Sequence, residues 1–551
     1  RRYDIVYGDV MLNFNYNINR FDIAATVGWT GRYENMNNMR VSTNGGLVTE
    51  NWFDLNASRY TPSSTLQRME LLKTGYMGTL SLGWDNYLFL ELTGRQERSS
   101  TLKDQSFFYP SANLSFLFTQ AFHMPSWWNY GKLRLSYGIV GNAPETYTAN
   151  IVYEQGSDNG FTWNTIPSSW GNADIRPEKK YEYEIGLESK FLNNRLGIDV
   201  SYYNNRVKDQ ILSTPQPSTS GVKNVLMNVG EVANHGWDIS ISATPILTRD
   251  FRWDLTANYG VYKNKVVKLA DGVPYLEILN SGGSGIKIQA VEGQPMGDIY
   301  AQVPQVNENG EYLVSDKGLY LNQTELQKVG NINPAGVGGL FNSFSYKNVF
   351  LDFSIDFRIG GDVINEMNQY ATAVGLTPES LKYRDTEHGG LSYYYPGDNN
   401  SSGIPVQVDP STGAGPNGEI IYHDGIILPG VVASTGERNT RIIPAGYYYN
   451  TTYNWGTEAE QLTYRHSVFD NSYVKLRELT IGYQFPEKII SKLGLGRLSV
   501  SVFGRNLFYF YKALKNYDAE SSVGTSWANQ ATVGSSTTAT RSFGVSLRAS
   551  F

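Results

Sequence analysis

The chain has no cysteine in its 551 residues, which removes disulfides, thiolate metal sites and cysteine nucleophiles together. Extracytoplasmic animal proteins commonly carry disulfides, so the absence points toward a bacterial source. No run of about 18 apolar residues occurs, and a transmembrane helix is therefore not encoded. Basic residues are not in excess: 46 Lys and Arg stand against 52 Asp and Glu, a net charge of -6 with no footprint for nucleic acid. No apolar signal-peptide core follows the opening Arg1-Arg2-Tyr3-Asp4. The five histidines (123, 235, 388, 423 and 466) form neither an HExxH motif nor a paired-ligand spacing. The glycine clusters at 282–285 and 494–496 lack the Lys-Ser/Thr that completes a phosphate-binding loop. No carboxylate pair stands out as an acid/base couple. The sequence thus predicts no enzyme, no catalytic residue, no metal site and no cofactor.

What is abundant is aromatic residues and glycine: 39 Tyr, 11 Trp and 55 Gly. A mean hydropathy of -0.36 resembles a soluble protein. A membrane β-barrel gives the same average, because lipid-facing and lumen-facing residues alternate and cancel. That alternation dominates the chain. In Glu178–Phe191, Tyr181, Tyr183, Ile185, Leu187 and Phe191 share one face, while Lys180, Glu182, Glu184, Glu188 and Lys190 share the other. Val349–Ile359 repeats it, with Leu351, Phe353, Ile355 and Phe357 opposite Asp352, Ser354, Asp356 and Arg358. The segments at 196–203 and 253–262 behave likewise. A face carrying full charges must meet water. The apolar face then meets either a second sheet, as in a soluble β-sandwich, or lipid.

The connections favour lipid. About fifteen strands are predicted, joined alternately by tight turns and long polar segments. The turns fall at Asn19-Arg20, Asp85-Asn86, Asn193-Asn194-Arg195, Thr248-Arg249-Asp250 and Tyr346-Lys347-Asn348. The long segments span roughly 34–65, 143–177, 211–230, 268–335, 361–470 and 511–540. Such alternation puts all turns at one end and all loops at the other, the anatomy of an outer-membrane barrel and not of a Greek-key sandwich. An odd number of strands cannot close as an antiparallel meander, so an odd number of further strands is expected upstream. The chain also ends in an amphipathic strand, Arg541–Phe551, whose aromatic tip resembles the C-terminal signal of barrel proteins.

Several segments, in order over nearly the whole chain, resemble the SusC/RagA-like family of TonB-dependent outer-membrane transporters of Bacteroidetes-type bacteria. They are Asp85–Arg95 with Phe108–Leu114, Leu133–Asn142, Phe191–Tyr203, Asn228–Trp237, Gly330–Pro334, Phe469–Glu478 and Gly504–Phe508. The acidic stretch common before the family's Gly-Asn-Pro motif departs here to Asn307-Glu308-Asn309-Gly310-Glu311. Having lost most of its charge, that stretch reads as a plain polar turn and not as a calcium loop. The resemblance implies an all-β transmembrane antiparallel barrel, with about 15 of the family's 22 strands present. Residues 1–551 would then be the C-terminal portion of the barrel, its N-terminal strands, plug domain and TonB box lying outside this sequence. It further implies TonB-energised import of oligosaccharides or peptides through the bacterial outer membrane, with a SusD-like surface lipoprotein as lid. A dimer of such SusC–SusD pairs stays open. The alternatives are a passive porin-type barrel without TonB coupling, or a soluble β-rich carbohydrate-binding protein.

The long segments place aromatics among hydrogen-bonding residues, a composition suited to sugar faces or peptide side chains. Trp163, Trp170, Tyr394, Trp455 and Trp527 are the candidate substrate-binding residues, with Tyr393, Tyr395, Tyr447, Tyr448 and Tyr449 nearby in sequence. Plain loop packing is the competing reading of each.

Overall fold

The computed structural model describes residues 1–103, 106–158, 161–281, 285–397, 403–454, 463–522, 524–534 and 539–551. Fifteen long strands follow one another in chain order in one antiparallel sheet. They are β1 (Arg2–Ile18), β2 (Phe21–Leu47), β3 (Ser58–Trp84), β4 (Leu88–Ser99), β5 (Ser106–Phe116), β6 (Trp128–Asn142), β7 (Glu178–Phe191) and β8 (Leu196–Lys208). After these come β9 (Glu231–Leu247), β10 (Phe251–Lys268), β11 (Gly336–Tyr346), β12 (Val349–Ile359), β13 (Tyr473–Gln484), β14 (Arg497–Lys512) and β15 (Ser542–Ser550). The chain divides into two compact units, residues 1–241 with 262–274 and residues 242–261 with 275–551.

In the first unit the registers show why the alternation is so regular. Ser81 faces Ala24 and Glu91, Asn113 faces Glu91 and Ser136, and Glu184 faces Ser136 and Tyr203, so one polar face runs across β2 to β8. The opposite face carries Leu80 beside Ala25 and Leu92, then Leu114 beside Leu90 and Leu135, and Leu187 beside Leu133 and Val200. These apolar side chains are not covered: Leu92, Leu135, Tyr183, Ile185 and Leu187 are all exposed. Water would make that arrangement costly over so wide a surface, whereas lipid is its natural solvent.

Aromatics mark two levels on this apolar face. Phe21 and Trp29, Trp84 and Tyr76, Phe116 and Phe108, and Phe191 and Tyr183 each stand eight positions apart on their strands. At ~3.3 Å per residue the two levels are about 26 Å apart along the strand, close to the height of an outer-membrane apolar band once tilt is allowed for. Near the turns the rings touch in series. Phe21 meets Trp84, Trp84 meets Tyr87, Tyr87 meets Phe116, and Trp127 and Trp128 both meet Phe191, with centroids 5.3–6.5 Å apart. Rings of this kind belong at the boundary between hydrocarbon and headgroups.

The tight turns are built from residues that tolerate a left-handed backbone. Asn19, Asp85, Asn86, Asn193, Asn194 and Lys347 all have positive φ, between 52° and 62°. Short connections recur at 117–127 and 485–496, where short helices take the place of a turn. The other end carries the long connections, with two corrections. The segment 34–65 is mostly strand: β2 continues to Leu47 and β3 begins at Ser58, leaving 48–57 as the loop. Backbone pairing goes on past the apolar band, where both faces meet water and side-chain alternation is no longer required. The connection 100–105 is also short, so the alternation of lengths is not strict.

The second unit has the same inside-out wall in β11 to β15. Leu351 lies beside Phe344 and Ile481, and Phe353 beside Asn342 and Leu479. Leu351, Phe353 and Ile355 are only partly buried, by neighbours within the wall, and the three pack against no second sheet among the described residues. The conventional hydrophobic core lies elsewhere, in the loops. Ile286, Ile288, Ile299, Ala301, Ile332, Ile364, Val468, Ala528 and Ala531 form one cluster drawn from the three longest-range connections of this unit. Of two four-stranded loop sheets, the one built from 275–331 supplies Ile286, Ile288, Ile299 and Ala301 to it, and the one from 391–444 packs in clusters of its own.

Candidate functional site

Two features of the chain face water in an organised way: the polar wall and the folded loops. On the wall of the first unit, Arg134 forks onto Asp199 at 2.6 and 3.2 Å and reaches Glu188 at 3.5 Å, tying β6, β7 and β8 together. Farther along the wall, Arg95 pairs with Glu97 at 2.9 Å, and Tyr109 donates to the same carboxylate at 2.8 Å. Near the turns, a concavity of about 710 Å³ is lined by Asn15, Asp22, Ser81, Glu91, Asn113 and Ser115 among others. This face offers many hydrogen-bonding groups and little apolar grip, which suits passage of a polar solute over tight retention.

The second unit holds a clamp that strand alternation does not predict. In β13 the register slips between Leu476 and Glu478, so Arg477 is an extra residue in the ladder. Its guanidinium bonds Asp356 on β12 at 2.5 Å and Glu520 bidentately at 2.9 and 2.6 Å. Lys475, only 1% exposed, binds the same Glu520 at 2.6 Å and lies over the Tyr509 ring at 4.8 Å. The carboxyl of Glu520 is held down at about 2: burial opposes ionisation, but the bonds from Arg477 and Lys475 outweigh it. Tyr509 donates to Asp518 at 2.7 Å, and Lys512 to the Tyr517 carbonyl at 2.7 Å. The start of the 513–541 connection is thereby fixed to the wall. The one signal in sequence was the adjacent pair Arg477-Glu478, which breaks the period of two.

Of the five candidate binding residues, the described structure contains four. Trp163 sits on a loop hairpin, Glu154–Asp158 with Phe161–Thr165, directly across from Gly156. Its indole lies so close over Gly156 that a side chain there would collide with it, yet Trp163 stays 46% exposed. One face is thus supported and the other is open. Trp170 is half-buried in a short strand beside Val225, edge-on to Tyr153 at 5.9 Å. Tyr394 is half-buried in the 391–444 loop sheet, close against Gly415. Trp527 packs over Gly297, whose φ of +92° and close approach leave no room for a side chain. Trp455 lies outside the described residues. Trp163 and Trp170 share one connection, 143–177, whereas Tyr394 and Trp527 belong to different connections of the second unit. Neighbouring tyrosines prove structural: Tyr393, Tyr395 and Tyr449 are buried in the loops, and the Tyr449 hydroxyl donates to the Glu379 carbonyl at 2.9 Å.

Residues 1–305 match the family described as TonB dependent receptor-like, beta-barrel, which is more than half of the chain. The chain belongs to this family. Among relatives of this TonB-dependent receptor barrel, TonB-dependent receptor P3 of Formosa agariphila is 24% identical over 494 residues, 82% of this chain and 42% of that protein. TonB-dependent receptor SusC of Bacteroides thetaiotaomicron is 30% identical over 247 residues, 41% of this chain and 24% of that protein. The fold matches the structure of the RagAB peptide transporter with a TM-score of 0.65 at 18% identity, over 92% of this chain and 52% of that one. The chain spans less than half the length of these named receptors and about half of the solved one. In a TonB-dependent receptor barrel the apolar wall face is the lipid side, and the charged wall face, with Glu91 and Arg134 in the first unit and Asp356 in the second, is the lumen side.

His423 and His466 in the receptor loops make packing and hydrogen-bond contacts within the loops. His423 Nδ1 lies 2.8 Å from the Ser392 hydroxyl, a nucleophile–base distance, but Ser392 is buried within the loop sheet and closed to a substrate. His466 stacks on Tyr453 at 4.3 Å, and burial, with Arg465 adding repulsion, pushes its imidazole down to about 4. Its value in the unfolded chain is about 6.5, so the unfolded state binds the extra proton between the two values. Loop stability is therefore full above about pH 6.5 and declines as pH falls toward 4. Hydrogen exchange of helix 445–453, corrected for intrinsic rates, is expected to quicken between pH 7.5 and 5. A flat profile would contradict the buried neutral imidazole.

Proposed function

We propose that this chain is the C-terminal part of the barrel of a TonB-energised outer-membrane importer of oligomeric nutrients, glycans or peptides. The observation that carries the reading is the division of labour in the chain: a wall greasy on its outside and polar within, and loops with a hydrophobic core of their own. Loops that merely joined strands would not need such a core. Family membership and the fold shared with the RagAB peptide transporter support active import over a passive pore. A plug and TonB box upstream, and a SusD-like lipoprotein closing over the loops, complete the proposal. The loop aromatics Trp163, Trp170, Tyr394, Trp455 and Trp527 are the proposed ligand contacts, with moderate individual strength so that cargo can be released.

The test is uptake of labelled oligomers by cells expressing the complete protein, with and without TonB. Abolished uptake without TonB is expected; uptake that persists unchanged is the signature of a passive pore. Of the ligand contacts, Trp163 has the clearest free face. Trp163→Ala is expected to weaken oligomer binding about fivefold, the scale of one aromatic stacking contact. Unchanged affinity by calorimetry would remove it from the binding surface.

A further inference from the structure

The second unit contains a loop cavity of about 560 Å³, of the size that small-ligand sites occupy. Its walls are Tyr395, Pro405, Ile442, Ile443 and Tyr447, with two cationic residues, Lys317 and Arg441. Among the described residues no acidic side chain lines it. The Arg441 stem lies across Gly318, with Cγ and Cδ near 3.4 and 3.5 Å from where a side chain would begin. The Arg441 Nε is buried without any hydrogen-bond partner. Among the described residues its guanidinium has no ion pair either, in contrast to Arg95, Arg134 and Arg477. Asp424, whose charge acts on the Tyr395 hydroxyl, accepts the Tyr393 hydroxyl at 3.1 Å and is not part of the cavity wall. The Tyr395 hydroxyl is pushed up by burial, and the nearby Arg441 works against that rise.

A buried guanidinium N–H without an acceptor is expensive to keep, and a carboxylate is the group that satisfies its fork in two parallel bonds. The apolar and tyrosine walls leave room for the ring or chain that carries the carboxylate. We propose that this cavity is a subsite for a carboxylate-bearing unit of the cargo, with Arg441 as the anchor and Lys317 at the exposed rim. The assignment rests on the import reading and deepens it: the preferred oligomer is acidic.

The experiment uses the purified complete protein in detergent and measures binding by calorimetry. The probes are trigalacturonate, its carboxyl-reduced neutral counterpart and a tetraglutamate peptide. At least one carboxylate probe is expected to bind at least tenfold more tightly than the neutral sugar, and which one does so tells whether the carboxylate comes from a sugar or a peptide. Arg441→Gln is expected to erase the difference, and Arg441→Lys to restore part of it. Lys317→Gln, a substitution at an exposed position, is expected to lose about threefold and decides the matter should the Arg441 variants fail to fold. Equal binding of charged and neutral probes overturns the subsite, as does a preference untouched by both Arg441→Gln and Lys317→Gln. Uptake in cells separates the two readings. Charge-selective binding without TonB-dependent uptake sinks the importer alone, and uptake without charge selectivity sinks the subsite alone.

Discussion

Leu187→Arg is expected to prevent stable insertion of the barrel, while Ser136→Arg, close by on the other face, is expected to be tolerated. Leu187 lies midway between Tyr183 and Phe191, hence midway between the two aromatic levels on β7. It stands beside Leu133 and Val200 and is exposed. An arginine at that depth on a lipid face costs about 2–4 kcal/mol. Ser136 belongs to the row containing Asn113 and Glu184, where a cation meets water and carboxylates. Urea unfolding in lipid vesicles and the heat-modifiable migration of folded barrels read the difference. Equal loss in both variants, or none in either, would contradict the assignment of the two faces.

The second large effect is expected at Glu520. Glu520→Gln removes the charge that Lys475 and Arg477 share, and Lys475 has almost no access to water in compensation. Breaking one side of a buried pair costs about 3 kcal/mol. That is roughly a hundredfold in a local opening equilibrium. Amide exchange across residues 513–520 should quicken by that order, and protease should nick the segment, with the wall strands unaffected. Acid should act in the same direction. Because the folded value near 2 lies below that of a free glutamate, the contribution is complete above about pH 4.5 and is lost as pH falls toward 2. Lys475→Met combined with Glu520→Gln should recover much of the loss, since no buried charge is then left without a partner. Unaltered exchange in the single variant would show that the loop is held by its apolar contacts, such as Leu514 with Val363 and Val533.

The wall was legible in the sequence because a single physical rule governs it. Glu178–Phe191 and Val349–Ile359 alternate with few faults, such as Ser189 on the apolar face and Phe350 on the polar one, and the structure places a strand over each of these ranges. The turns were legible for a different reason: a left-handed backbone between paired strands selects Asn and Asp, as at Asn19, Asp85 and Asn193. Legibility ends where one rule no longer applies. Past the apolar band β2 keeps its ladder through Asn35, Asn37 and Asn38, although the composition reads as a loop. In the loops a tyrosine is equally suited to a core or a binding face. Tyr393, Tyr395 and Tyr449 are buried, while Trp163 keeps an open face, and no local pattern separates the two outcomes. Arg477 and Glu520 are 43 residues apart, so only tertiary structure brings them together. The cavity at Arg441 likewise draws its residues from positions 317 to 447.

The chain's lack of cysteine makes one measurement especially direct. Single cysteines placed in turn at 182, 183, 184, 185, 187 and 188 of the complete protein, spin-labelled in a bilayer, report contact with lipid-soluble oxygen or with a water-soluble nickel chelate. The labels at 183, 185 and 187 should respond to oxygen and be shielded from nickel, and those at 182, 184 and 188 should do the reverse. A response that fails to alternate, or alternates in the opposite phase, would contradict a wall with lipid on one side and water on the other.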